Sequence, residues 1–388
     1  MHAGAIVVSP LLPYPPVTGG QKRTLRLLEA MDRAGARPRI LTTDAATDDD
    51  VRALRERGWD VELLPFAPGP RERAAQHLAR RPSPYLTPVA ARVRAAPGAA
   101  FVQLEHTMSA YYRGLRPGTP VVLSLHNLDS ELAAGAARSF RRGGLAWARE
   151  RNRAAAFAIQ ERRAFAQVDR VLCVSQHDAE VVAARGGMPL LVPNGVDAAF
   201  FAHPAAPAPE ELVTFFGHFG YRPNRDGVLR FLREGWARTL AARPQARLAV
   251  AGAGVDAAVR AELEAFPRVD VLGLVDDLAA LLERSAVVLV PLWEGGGTRL
   301  KALEAMAAAR PVVGTPLGVE RIGFADGEHG LVAPDPAGLA DALASLLADL
   351  PRAAALGAHA RVHAERFRWE HVTAELEQLY ARYVAAAA

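Results

Sequence analysis

The run Ala286-Val-Val-Leu-Val-Pro-Leu292, then Trp-Glu-Gly-Gly-Gly-Thr298, then apolar positions at Leu300, Leu303 and Met306, constrains the fold more than any other stretch. An unbroken apolar run bounded by turn residues suits a strand buried on both faces, as in parallel sheets. Three glycines and a helical stripe after it read as strand, loop, helix. The rhythm recurs at Ala5-Ile-Val-Val-Ser9, Arg39-Ile-Leu-Thr42, Val61-Glu-Leu-Leu64, Phe101-Val-Gln-Leu104, Val121-Val-Leu-Ser-Leu125, Arg170-Val-Leu-Cys-Val-Ser175, Val213-Thr-Phe-Phe-Gly217 and Leu248-Ala-Val-Ala251. Such alternation predicts an α/β protein with parallel sheets and helical crossovers. At 388 residues the chain is long for one core, so two domains of similar size are expected.

The glycine loop carries the chemistry. A loop opening a helix gathers unpaired backbone N–H groups and the positive end of the helix dipole at one spot, where a phosphate or carboxylate can sit. Arg299 and Lys301 add full positive charge, and Glu304, one turn in, offers a carboxylate to sugar hydroxyls. A bare Gly-Gly-Gly would read equally as a tight turn. The three charged residues together favour an anion site. Only two of the 46 basic residues are lysines, Lys22 and Lys301, and both fall in glycine-loop regions.

Gly-Gly-Gly-Thr-Arg-Leu-Lys-Ala-Leu-Glu-Ala-Met-Ala at 295–307 resembles the donor-site loop and helix of retaining glycosyltransferases of family four, which have the GT-B fold. The resemblance implies two Rossmann-like, doubly wound parallel-sheet domains facing across a cleft. The sequence divides accordingly into an acceptor-binding domain at 1–199, a Pro-rich linker at 200–212, a nucleotide-sugar-binding domain at 213–367, and a last helix, 368–388, crossing back to the first domain. It further implies transfer of a sugar from a nucleotide-diphosphate sugar to an acceptor hydroxyl with retention, needing neither metal nor other cofactor. His126, Glu304, Arg299 and Lys301 take the catalytic positions. Gly19, Gly20, Gly217, Arg222, Asn224, Val275, Glu294, Gly295, Gly296, Gly297, Thr298 and Leu300 would line the donor site, and Lys22, His106 and Asn127 the acceptor site.

Two departures from the family pattern stand out. The arginine and lysine that bind diphosphate after the glycine at 217 are replaced by His218 and the Pro223-Asn224 pair, leaving Arg222, Arg225, Arg299 and Lys301 as candidate replacements. Of the paired glutamates around the donor loop, Glu304 matches the second, but Gly296 stands at the first, with Glu294 two residues earlier. An inactive nucleotide-sugar-binding protein and a nucleotide-sugar epimerase therefore stay open.

A dehydrogenase is a rival, because Gly252-x-Gly254-x-x-Ala257 after a strand, with Asp270 beyond it, approximates a dinucleotide fingerprint. It would leave the 295–304 cluster unexplained. Asp48-Asp-Asp50 precedes Val51 and Leu54 and reads as a helix start rather than a metal site. The net charge of +4, with acidic and basic residues interspersed, implies no nucleic-acid partner. Arginines at 138–163, interleaved with Phe140, Trp147, Phe157 and Ile159, form a basic amphipathic stretch compatible with contact at the inner face of a membrane. Cys173 is alone and reads as a buried thiol. No signal-peptide pattern and no apolar run near ~20 residues is present, so a cytoplasmic location is expected. Residues 67–98 read as a helix with loops.

Overall fold

The computed structural model describes residues 4–44, 46–64, 87–95, 98–107, 118–138, 140–202 and 204–388. Packing divides the chain into two compact units, Met1–Pro193 with Val372–Ala388, and Asn194–His371. The sequence reading of 67–98 lies outside the described residues except for a helix at Thr87–Ala95 and the residues that lead into the strand after it.

The first unit holds strands β1 (Gly4–Ser9), β2 (Arg37–Thr42), β3 (Asp60–Leu63), β4 (Ala99–Glu105), β5 (Val121–Ser124), β6 (Arg170–Cys173) and β7 (Pro189–Leu191). They form one sheet in the order β3-β2-β1-β4-β5-β6-β7, with every pairing parallel. Its helices are α1 (Gly19–Arg33), α2 (Asp48–Glu56), α3 (Thr87–Ala95), α4 (Asp129–Arg138), α5 (Leu145–Phe165) and α6 (Gln176–Ala184). Each start has a local cause. Thr18 and Gln21 form a reciprocal capping box at α1, and Thr47 and Asp50 form another at α2. The acid triplet thus fills the first turn of α2, and Thr47 is the cap itself. In α5 the acidic Glu150 and Glu161 are buried, while Arg149, Arg151, Arg162 and Arg163 are exposed, as is Leu145 at 93%.

The second unit repeats the plan with β8 (Leu212–Phe216), β9 (Arg247–Ala251), β10 (Val269–Gly273), β11 (Val287–Val290), β12 (Val312–Gly314) and β13 (Gly330–Val332). The order is β10-β9-β8-β11-β12-β13, again all parallel. Its helices are α7 (Arg222–Phe231), α8 (Ala237–Ala242), α9 (Ala257–Glu264), α10 (Leu278–Arg284), α11 (Leu300–Ala307), α12 (Pro336–Ala348) and α13 (Leu350–Ala364). A π-helical turn, Leu232–Trp236, joins α7 to α8 and buries Trp236, whose indole donates to the Pro267 carbonyl at 2.8 Å. Helix α14 (Trp369–Ala387) comes last.

The junction falls earlier than the Pro-rich run suggests. Residues 194–201 belong to the second unit because Val196 bridges Arg368, Phe200 and Phe201 are buried in its core, and a Cβ on Gly195 would lie 2.5 Å from the Trp369 ring.

At several glycines, Gly252 and Gly227 among them, main chains come closer than any side chain allows. A Cβ on Gly252, at φ 142°, would stand 1.9 Å from the Gly217 carbonyl oxygen, and one on Gly227 would stand 2.2 Å from that of Pro291. The first explains the glycine that imitated a dinucleotide fingerprint: it is required by packing between the ends of β8 and β9. Gly252→Ala is therefore expected to destabilise the second unit by about 2 kcal/mol or more, read as a lower urea midpoint.

Candidate functional site

In the second unit the strand order itself makes a crevice. At β8 and β11 the order reverses, and open parallel sheets bind ligands outside the carboxyl ends of such strands. Three segments meet there: Gly217 after β8, the start of α7, and the glycine loop between β11 and α11. Gly295 at φ 115° and Gly297 at φ 80° hold conformations that side-chain-bearing residues avoid. The N-terminus of α11 carries no side-chain cap, and of its first N–H groups Leu300 donates to the Thr298 carbonyl and Ala302 to the Arg299 carbonyl, each at 2.9 Å.

Lys301 is the central charge. Its Nζ donates to Asn224 Oδ1 at 2.7 Å and lies 4.6 Å from the centre of the Phe215 ring. Asn224 Nδ2 donates in turn to the His218 carbonyl at 2.9 Å. A Cβ on Gly217 would meet Asn224 Nδ2 at 2.8 Å and Lys301 Nζ at 3.0 Å, so only glycine leaves room for this pair. Burial lowers the Lys301 ammonium to about 7, with Glu304 opposing and Arg299 reinforcing the shift. Glu304 is buried on the next turn.

Arg299 is engaged within the loop itself. Only 4% exposed, it donates to the carbonyls of Leu317 at 2.6 Å, Gly296 at 3.1 Å and Gly295 at 3.4 Å, and pairs with Glu320 at 2.8 Å. Its guanidinium therefore faces the inside of the loop and fixes the loop's shape. Burial lowers its pKa, against the pull of Glu320. Arg222 is likewise engaged, pairing with Glu294 at 3.1 Å and Asp226 at 3.1 Å, all half exposed to solvent. Arg225 pairs with Asp226. Gly296 N–H donates to the Tyr221 hydroxyl at 3.3 Å, a contact absent from the sequence reading. The Thr298 hydroxyl oxygen is buried without a hydrogen-bond partner among the described residues. Leu300 opens α11, and Val275 is half-buried ahead of α10.

The first unit has its own reversal, between β1 and β4. Gly19 and Gly20 are not in a loop but form the first residues of α1, with Lys22 in the same turn. His126 follows β5, is 8% exposed, and its Nε2 lies 2.8 Å from Glu105 Oε2. His106 stacks on it with ring centres 3.8 Å apart, held at a left-handed φ of 66°. Burial, then the neighbouring His126, push His106 down to about 3, so it stays neutral. Asn127 is half-buried beside His126 in the chain.

Sequence reasoning missed Glu105, Gln103 and Arg23. All three are buried; Arg23 donates to the Val192 carbonyl at 2.8 Å, and burial lowers it to about 10 against the charge of Glu105. A signal existed: two polar residues at alternate positions of an otherwise apolar buried strand are unusual enough to need a reason. Among the described residues no group of three or more His, Cys, Asp or Glu is arranged to hold a metal, and no helix is long and apolar enough to cross a membrane.

The pKa of Lys301 gives a sign that can be checked. Between about 7 and the ordinary lysine value of 10.5 the unfolded chain holds a proton that the folded chain has released, so folding gains stability as pH rises through that window. Urea melts of wild type and Lys301→Met at pH 6 and pH 9 should show the wild type gaining on the variant at the higher pH.

Known proteins resemble this chain in sequence and fold. A profile described as Glycosyltransferase Family 4 matches residues 17–200, and one described as Glycosyl transferases group 1 matches residues 210–349. A D-inositol 3-phosphate glycosyltransferase from Corynebacterium urealyticum is 36% identical over 107 residues, which is 27% of this chain and 25% of that relative. The chain thus spans about a quarter of the length of that relative. A sucrose-phosphate synthase from Thermosynechococcus elongatus superimposes with a TM-score of 0.74 at 22% identity, covering 99% of this chain and 100% of that one. Anabaena HepE in complex with UDP and glucose gives a TM-score of 0.69 at 14% identity, over 98% and 100% of the two chains. With two Rossmann-like parallel-sheet units, each matched by its own glycosyltransferase profile, the chain has the GT-B fold and is similar to family-four glycosyltransferases in both units.

Proposed function

We propose that this protein transfers a sugar from a nucleotide-diphosphate sugar to an acceptor hydroxyl, with retention of anomeric configuration and without a metal ion. The observation that carries the reading is the Lys301 ammonium, half-buried beside Asn224 and Gly217 where β8 and β11 part. Desolvation disfavours the ammonium there, and the charge of Glu304 offsets this only in part. A diphosphate supplies further counter-charge. As the sugar–phosphate bond breaks, negative charge grows on the diphosphate oxygens while the anomeric carbon becomes cationic. Lys301 and the backbone N–H groups of the glycine loop and α11 stabilise it, already oriented before the reaction begins. Arg299 contributes by holding the loop, and Glu304 receives the ribose hydroxyls.

The second unit accordingly takes the donor, and the first unit the acceptor, with His126 offered to a sugar hydroxyl. Crystals of HepE contain UDP and glucose, which makes a uridine nucleotide the first donor to try. The nucleotide sugar is a co-substrate, and no other cofactor enters the reaction. A dehydrogenase reading has lost its support, because Gly252 answers to the Gly217 carbonyl rather than to a pyrophosphate. The Asp256 side chain also accepts from Val259 N–H at 2.8 Å, occupying the start of α9.

Glu304→Ala is expected to abolish donor binding and turnover together while leaving the melting curve close to wild type, as followed by calorimetry and a nucleotide-release assay. Full activity in that variant would remove Glu304 from the site. Thermal shift with UDP, GDP, dTDP and NAD should show stabilisation by one of the diphosphates and none by NAD. Transfer should survive EDTA, and the anomeric coupling of the product, read by NMR, should match that of the donor.

A further inference from the structure

Glu105 is fully buried and accepts hydrogen bonds from three sides: Gln103 Nε2 at 2.6 Å, His126 Nε2 at 2.8 Å and the Thr24 hydroxyl at 3.3 Å. Burial by itself pushes a carboxyl up, but hydrogen bonds from His126 and Gln103 outweigh it and leave Glu105 below the usual carboxylate range. It is therefore ionised, and an ionised carboxylate can only accept. Each neighbour must present a donor. For His126 that puts the proton on Nε2. For Gln103 it turns the amide nitrogen toward Glu105 and the amide oxygen away.

That oxygen meets the hydroxyl of Tyr380, on α14, which donates to it. Tyr380 is fully buried and its ring stacks on Phe101, with centres 4.8 Å apart. The hydrogen bonds thus run one way, Tyr380 to Gln103 to Glu105, and the direction is set by the charge at the far end. At the other face of the imidazole, His126 Nδ1 is buried with no hydrogen-bond partner among the described residues. The nearest place for an atom is beside Gly20, where a Cβ would stand 3.0 Å from Nδ1.

We propose that Glu105, Gln103 and Tyr380 are positioning residues that fix the tautomer and orientation of His126, so that Nδ1 is the atom offered to a ligand hydroxyl beside Gly20. A hydroxyl suits this place because it donates to an unprotonated Nδ1 and accepts from a protonated one. None of the three residues touches the ligand. They act through the ring, as the buried aspartate of a Ser-His-Asp triad holds its histidine in one tautomer. The proposal deepens the transferase reading, yet the state of the ring can be measured without any sugar.

The test is a long-range nitrogen–proton NMR spectrum of the histidine rings in the 15N-labelled full-length protein, without ligand, with His126 assigned from a His126→Gln variant. Wild type should show protonated Nε2, and Tyr380→Phe should exchange that proton with water faster while remaining folded, because the stack on Phe101 is kept. Glu105→Gln should mix the two tautomers and lower kcat on the order of a hundredfold or more, with donor KM unchanged and partial recovery in Glu105→Asp. A wild-type ring protonated on Nδ1 alone, or wild-type ring signals in both Tyr380→Phe and Glu105→Gln, would overturn the proposal. If Glu105→Gln does not fold, Tyr380→Phe decides it. Absence of sugar transfer in the wild type would count against the transferase reading, while the ring spectrum would still judge the positioning chain.

Discussion

Lys301, half-buried, and Glu105, fully buried, are each ionisable and each close to the point where the strand order of its sheet turns back. Taking either charge out of water costs several kcal/mol, recovered only where hydrogen bonds and opposite charge are already in place. The two units solve this differently. Around Glu105 the compensation is complete within the protein: three donors point at the carboxylate, and the Arg23 charge lies close enough to be felt. Around Lys301 it is incomplete: Asn224 offers one acceptor and the Phe215 ring one face, and the charge of Glu304 offsets the desolvation only in part. A finished network holds a neighbour still; an unfinished one attracts what is missing.

The glycines explain how the backbone comes close enough for this. Gly217 leaves room for Asn224 and Lys301 to meet, Gly227 lets α7 rest against the end of β11, and Gly252 lets the ends of β8 and β9 touch. Arg299 then ties the loop to Leu317 and Glu320, so the loop's outline follows from buried donors. The two positive charges of this loop are thus placed differently: Arg299 shapes the loop, and Lys301 reaches across to Asn224.

Much of this could be read from the chain. Buried parallel strands announce themselves by unbroken apolar runs, so β1 to β6, β8, β9 and the stretch from Val287 to Met306 were legible, whereas the shorter or more exposed β7, β10, β12 and β13 were not read as strands. The capped start of α2 was legible too. Tertiary geometry decides what was missed. Arg299 and Lys301 stand two apart on one loop with the same charge, and no pattern in sequence says which turns inward. Gly252-x-Gly254 imitated a phosphate loop because a close contact between two main chains asks for the same residue as a close contact with a ligand. Glu105 was passed over for the histidine beside it, and Tyr380 could not be connected to it, since 275 residues separate them in the chain.

The first unit is discontinuous: Val372–Ala388 belongs to it although the whole of Asn194–His371 intervenes. During synthesis the amino-terminal part emerges first, but its buried Gln103 has no Tyr380 to meet until the second unit has been made. The later half of the protein can mature before the earlier one does. Completion of the histidine network thereby marks the end of translation through α14, and a nascent chain cannot acquire it early.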